Sequence, residues 1–150
     1  MGSPTPRGKV NLQLWSDGTA LREPAKKAGF VAKFIHDKGA PVKLANGQNR
    51  ASKATRHYLA SEIVAVDGPH EANQRIGEIL SSLRGTELSQ MIASGDVEAE
   101  ISLTAFHGNV EWEAQLDPAL NEAVRAANVR LFIEHYDKFD EKGAPLAVRL

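Results

Sequence analysis

Glu98, Glu100, Glu111 and Glu113 stand at alternate positions in two neighbouring stretches, "DVEAEISLTAF" and "VEWEAQL". Paired carboxylates do acid and base work when two of them lie about 5–9 Å apart in a cleft. One of the two must also sit against an apolar wall that raises its pKa. Alternation places all four on the wet face of a sheet instead, where like charges on adjacent strands repel. Such a face is either solvated or docks a basic protein partner, because complementary charge steers encounter.

The second chemical stretch is basic. Residues 34–58, "FIHDKGAPVKLANGQNRASKATRHY", carry Lys38, Lys43, Arg50, Lys53 and Arg56 against the single acid Asp37. Lys43, Arg50, Lys53 and Arg56 are candidate contacts for phosphate or another anion. Tyr58, with His57, is the aromatic residue at the end of the run that could stack on a base. Gly39, Pro41, Asn46-Gly47 and Asn49 mark turns, and the large apolar residues are few. The expectation is an exposed, mobile loop over residues 39–56. The opposite outcome is a structural clamp, with these cations paired to the glutamates of the same chain.

Other chemistries find little footing. The five histidines give only two close His–carboxylate pairs, His36-Asp37 and His135-x-Asp137, too few ligands for a metal site. There is no cysteine, so thiolate metal sites, disulfides and cysteine nucleophiles are excluded. No nucleophile-elbow, zinc-helix, Walker or dinucleotide-binding glycine pattern occurs. The expectation is a protein that is not an enzyme and carries no cofactor and no metal.

Charge is unevenly placed along the 150 residues. Residues 1–58 hold eleven Lys/Arg and three acids, a net of +8; residues 59–150 hold seven and sixteen, a net of −9. The halves either neutralise each other or offer poles to partners. No apolar run approaches the roughly 20 residues of a membrane helix. The start, "MGSPTPRGKV", lacks the apolar core of a signal peptide, and its Met-Gly-Ser has the form of a cloning remnant. Residues 1–8 are expected to be flexible, residues 9–150 to form one domain, and the protein to be cytoplasmic.

The elements that must position these residues follow from periodicity and punctuation. "KVNLQLWS" alternates Val10, Leu12 and Leu14 against Asn11, Gln13 and Trp15, which predicts a half-buried strand. A short helix is expected with Pro24 at its first position, ending at Gly29, then a strand over "FVAKFI". "HYLASEIVAV" predicts one further strand. Asp67-Gly68-Pro69 starts a helix with Ala72, Ile76, Ile79, Leu80 and Leu83 in one stripe. Gly85 interrupts it, and Thr86 caps either a second helix closing at Gly95 or the continuation of one bent helix. "DVEAEISLTAF", a His107-Gly108-Asn109 turn and "VEWEAQL" predict an antiparallel hairpin. Asp117-Pro118 starts a last helix, which Asn128 closes in the left-handed conformation. "VRLFIEHY" is the last strand.

The chain also echoes itself. A strand, a Pro-led helix and a strand with Phe34-Ile35 precede Lys38-Gly39-Ala40-Pro41. The same order, with Phe132-Ile133, precedes Lys142-Gly143-Ala144-Pro145. The predicted fold is α+β: a mostly antiparallel sheet with helices packed on one face, in two pseudo-repeated strand–helix–strand halves.

Several short pieces in this order carry a family resemblance. They are Glu23-Pro24 through Ala28-Gly29-Phe30, Lys38-Gly39 before the basic loop, Leu116-Asp117-Pro118, and His135-Tyr136. With them the chain resembles the bacterial family catalogued as domain of unknown function 4279, over roughly residues 10–136. Ala28 and Tyr58 stand where that family's pattern usually has Leu and Trp. The resemblance implies a fold and no activity. The functional expectation is therefore a protein-binding module of the inhibitor, immunity or adaptor type. The alternatives are nucleic-acid or polyanion binding through the basic loop, and a small-molecule binder or enzyme with a site between sheet and helices, around His107 or His135.

Overall fold

The structure is a computed structural model that describes residues 8–43, 49–106, 117–139 and 145–147, with side chains over 8–40, 54–105 and 117–134. Its frame is the strand β1 (Gly8–Ser16), which alternates as predicted: Val10, Leu12 and Leu14 are fully buried, while Asn11, Gln13 and Trp15 are half-buried on the other face. Nine strands and four helices are found among the described residues, in the order β1, α1 (Arg22–Lys27), β2 (Ala32–His36), β3 (Pro41–Lys43), β4 (Asn49–Lys53), β5 (His57–Ser61), β6 (Val64–Val66), α2 (Pro69–Leu83), α3 (Glu87–Ser94), β7 (Glu98–Phe106), α4 (Pro118–Ala126), β8 (Val129–Phe139) and β9 (Pro145–Ala147). The main sheet runs β2-β5-β1-β7-β8-β9, and β6 shares an edge of β1 with β5. All four helices contribute to one core against it, through Ala25, Ile76, Ile79, Leu88, Ile92 and Val124. The fold is thus α+β, a mostly antiparallel sheet with helices on one face.

Local punctuation acts where the sequence placed it. Thr86 Oγ1 accepts from the Ser89 N–H at 3.1 Å, and Asp117 Oδ1 accepts from the Ala119 N–H at 2.9 Å, so α3 and α4 each begin on a side-chain cap. Asn128 closes α4 at φ +59°, and its side-chain amide donates to the Ile92 carbonyl at 2.9 Å. Gly95 ends α3 at φ +88°, a conformation that disfavours a Cβ. α2 and α3 are separate helices, not one bent helix.

Four expectations are corrected. First, α1 begins at Arg22, so Pro24 is its third residue and lies buried. Second, the predicted strand over residues 57–66 is two strands, broken at Glu62-Ile63. The break takes a backbone partner from β1, and the Ser61 hydroxyl replaces it by accepting from the Leu12 N–H at 2.9 Å. A buried amide left unpaired would cost about 1–3 kcal/mol.

Third, the stretch at 39–56 is not a plain loop. It leaves the main sheet between β2 and β5, but β3 and β4 pair antiparallel as a ribbon of their own. At its base the Gly39 N–H donates to Ala54 O and the Ala54 N–H to Ala40 O, at 2.8 and 2.9 Å. Asn46-Gly47, expected to turn, falls outside the described residues, between the paired Lys43 and Asn49.

Fourth, β7 does not form the expected in-register hairpin. β1 pairs antiparallel along one edge of it and β8 pairs parallel along the other. A strand has two edges, so Glu98 and Glu100 face Trp15 and Gln13 on one side, and Glu100 faces Arg130 on the other. A parallel pair needs a crossover, which α4 supplies. The expected hairpin partner, residues 110–116, lies outside the described residues. The two strand–helix–strand units also differ: β8 lies directly beside β7, whereas β5 separates β2 from β1.

Two substitutions test this frame. Leu12→Ala removes a fully buried side chain at the centre of the core and is expected to destabilise the fold by about 2–5 kcal/mol. Ser61→Ala is nearly isosteric, yet orphans the Leu12 amide and is expected to cost about 1–3 kcal/mol. Urea denaturation of both reads the result; a loss under about 0.5 kcal/mol for Ser61→Ala would show that Leu12 finds another acceptor.

A groove on the open face of the sheet

Alternation leaves one sheet face to the helices. The other carries Asn11, Gln13, Tyr58, Glu100, Ser102, Thr104, Phe132 and Glu134 around a depression of about 330 Å³, which Phe34, Ala60 and Ile63 also line. Side-chain size makes the relief. Ala60, Asn11, Ser102 and Thr104 are short and form the floor; Phe34, Tyr58, Ile63 and Phe132 are long and stand around it. Phe34 on β2 and Phe132 on β8 are four strand positions apart. At about 4.8 Å per position their backbones are about 19 Å from one another.

A hydrogen-bond chain crosses the floor. The Tyr58 hydroxyl donates to Gln13 Oε1 at 2.8 Å, and Gln13 Nε2 donates to Ser102 Oγ at 2.6 Å. Ser102 Oγ in turn faces Glu100 Oε2 at 3.5 Å. The chain fixes the Gln13 amide orientation, because its oxygen must meet the phenol. Beside it, the Tyr58 ring packs at 5.6 Å from Trp15 and 6.0 Å from His36. Burial pushes the Tyr58 pKa above its ordinary value, and the Glu100 charge adds to the rise.

Charged groups close one end of this face. Arg56 holds Asp17 Oδ1 at 2.9 Å and Glu98 Oε2 at 3.1 Å. The bond to Glu98 is the main influence raising the Arg56 pKa. Arg130 lies 3.8 Å from Glu98 and 3.9 Å from Glu100, with its guanidinium over the Trp15 ring at 5.6 Å. Arg56 therefore joins the basic first half to the acidic second half, and its charge is engaged within the fold. Glu98 and Glu100, expected to form an open acidic face, are each within reach of an arginine of their own chain.

The remaining sequence candidates are scattered. Tyr58 lines the groove, as do Glu100 and the unforeseen Phe34, Ile63 and Phe132. Lys43, Arg50 and Lys53 lie in the β3–β4 ribbon; their side chains, with Glu111, Glu113 and His107, fall outside the described residues, and so does the His135 side chain. Among the described residues, those packed between sheet and helices form the apolar core. Among the described residues, no three His, Asp or Glu side chains gather to hold a metal ion. A signal for the groove was present: in "VRLFIEHY", Phe132 has the parity of Arg130 and Glu134, not of Leu131 and Ile133. No protein-family model, no curated protein and no solved structure matches the chain.

Tyr58 supplies a titration test. In a Tyr136→Phe background one tyrosine remains. Its tyrosinate absorbance is expected to rise with a midpoint above the ordinary value of about 10. Glu100→Gln should lower that midpoint only in part, because burial is the larger cause. The fold favours the neutral phenol. Its contribution to stability is complete below pH of about 10 and is lost as pH rises through the folded-state pKa. Tyr58→Phe should therefore flatten the loss of stability above that pH; an unchanged slope would separate Tyr58 from it.

Proposed function

We propose that this chain is a non-enzymatic protein-binding module, and that the groove on the open sheet face is where the partner docks. One observation carries the reading. Among the described residues four large hydrophobic side chains are exposed, and three of them, Phe34, Ile63 and Phe132, line this one groove. Phe34 and Phe132 are 53% and 52% exposed, in a chain with only five phenylalanines. Scattered exposed apolar residues need no explanation, but a cluster rimmed by polar groups marks an interaction surface.

The shape favours a polypeptide over a small molecule. A small-molecule pocket encloses most of its ligand within about 300–1,000 Å³. Here a volume at the lower end of that range is spread over a face whose outer strands, carrying Phe34 and Phe132, lie about 19 Å apart. A helix or an extended segment covers that width; a compact ligand touches one wall. The rigid sheet beneath keeps the ordering cost of binding small. An inhibitor, immunity or adaptor role is a class analogy consistent with a surface of this kind. The resemblance to domain of unknown function 4279 adds no activity to it. Among the described residues no helix is long and apolar enough to cross a membrane.

The test is selection of peptides or host protein fragments by display against the folded chain. Ligands are then measured against the double variant Phe34→Ser/Phe132→Ser and against Arg84→Ser, on the helix side. The double variant should keep its fold, within about 1 kcal/mol, because both rings are half exposed. It should lose affinity at least about tenfold, while Arg84→Ser does not. Ligands that bind the double variant as well as the parent would place the docking surface elsewhere.

A further inference from the structure

Resting on that reading, we infer that the groove is built to seat a lysine or arginine side chain of the partner, with its cationic head at Glu134, Thr104 and Asn11. Asp17, Glu98, Glu100 and Glu134 are carboxylates on or beside the open face. The first three each lie within 4 Å of Arg56 or Arg130. Glu134 meets no cation among the described residues and is exposed. The lining includes Glu100 and Glu134 and no basic residue; Arg130 offsets Glu100, which leaves the Glu134 charge to the groove. Lys9, beside Thr104 in the register, already has an interaction of its own.

The neighbours of Glu134 complete a cation seat. Thr104 is its direct partner across the β7–β8 pair, and Asn11 lies on the next strand, opposite Ser102. Thr104 and Asn11 are half-buried residues, and neither side chain has a hydrogen-bond partner among the described residues. Both present oxygens that accept from an ammonium or guanidinium. Phe132 stands two residues before Glu134 on the same face, so the apolar stem of the incoming side chain has a ring to lie on and its charge a π-face. A carboxylate, two neutral oxygens and an aromatic face together select a cation on an apolar stem.

The far wall defines the rest of the occupant. Phe34 and Ile63 are apolar, and the Phe34 backbone lies about 19 Å from that of Phe132, a distance that an extended segment spans in about six residues at 3.3 Å each. The preferred segment carries Lys or Arg at one end and a large apolar residue about four to six positions away. The polar floor between them, Gln13 and Ser102, is already hydrogen-bonded and does not demand a specific partner.

The experiment uses the folded chain as bait for a random peptide library, followed by affinity measurements on synthetic peptides. Selected sequences should pair Lys or Arg with an apolar residue at that spacing. Affinity should fall at least about tenfold for Glu134→Lys and less for Glu134→Gln, and should weaken with salt. Glu122→Lys, exposed on α4, should leave it unchanged. Selection against Glu134→Lys should recover acidic peptides instead. Ligands that need Phe34 and Phe132 but show no preference for a cation would overturn the seat and leave the groove standing. Ligands indifferent to both rings would overturn both readings. Ring-dependent binding of a single-stranded oligonucleotide with no basic peptide recovered would overturn the seat in favour of base stacking. Equal affinity for acetyl-lysine amide and for whole peptides would overturn it in favour of a small-ligand site.

Discussion

β1 and β7 run antiparallel through the middle of the sheet, and on one face Val10, Leu12 and Leu14 lie among Ala99, Ile101 and Leu103 with almost no exposure. Every other arrangement depends on that dry row. The strand period is two, so fixing the buried row on one face fixes the wet row on the other. A slip of one residue in β1 would carry Asn11 and Gln13 into the helix layer and strip the hydrogen-bond chain from the open face. The burial that holds the fold is therefore also what aims the groove residues outward.

Around this pair the structure settles its unpaired polar groups with side chains. Ser61 answers for the Leu12 amide where β5 gives way to β6. Ser16, fully buried, donates to the Asp96 carbonyl at 3.0 Å and accepts from the Thr19 N–H at 3.0 Å, tying the end of β1 to the start of β7. Arg56 adds a tie at the same end through Asp17 and Glu98. Its guanidinium is partly exposed, so its energetic share is modest, and its effect is to hold the base of the ribbon against the sheet.

The echo between Phe34-Ile35 and Phe132-Ile133 gains a physical meaning here. Both isoleucines pack against the core while both phenylalanines face the open side. Each pair is one step of strand alternation, placed at opposite sides of the same face. The two units are not copies in their pairing, because β5 is inserted in one and not in the other. The shared feature is an aromatic residue at wet parity, and it is that feature which makes the walls of the groove.

The sequence by itself determined the dry and wet rows of β1 and β7, the capped starts of α3 and α4, the left-handed stops at Gly95 and Asn128, and the α+β class. All of these are decided within a few residues, by side-chain period, by a cap's reach to the next amides, and by the backbone conformations that Gly and Asn tolerate. Tertiary structure alone decided which strands became neighbours. It gave β7 a parallel partner where a hairpin was expected, split one predicted strand in two, and paired the basic stretch into a ribbon. It also brought Phe34, Ile63 and Phe132, distant in sequence, to one groove, and paired Arg56 with Glu98. Edge pairing and groove walls join residues far apart in the chain, and which distant edge a strand meets is settled only when the whole sheet buries one face at once.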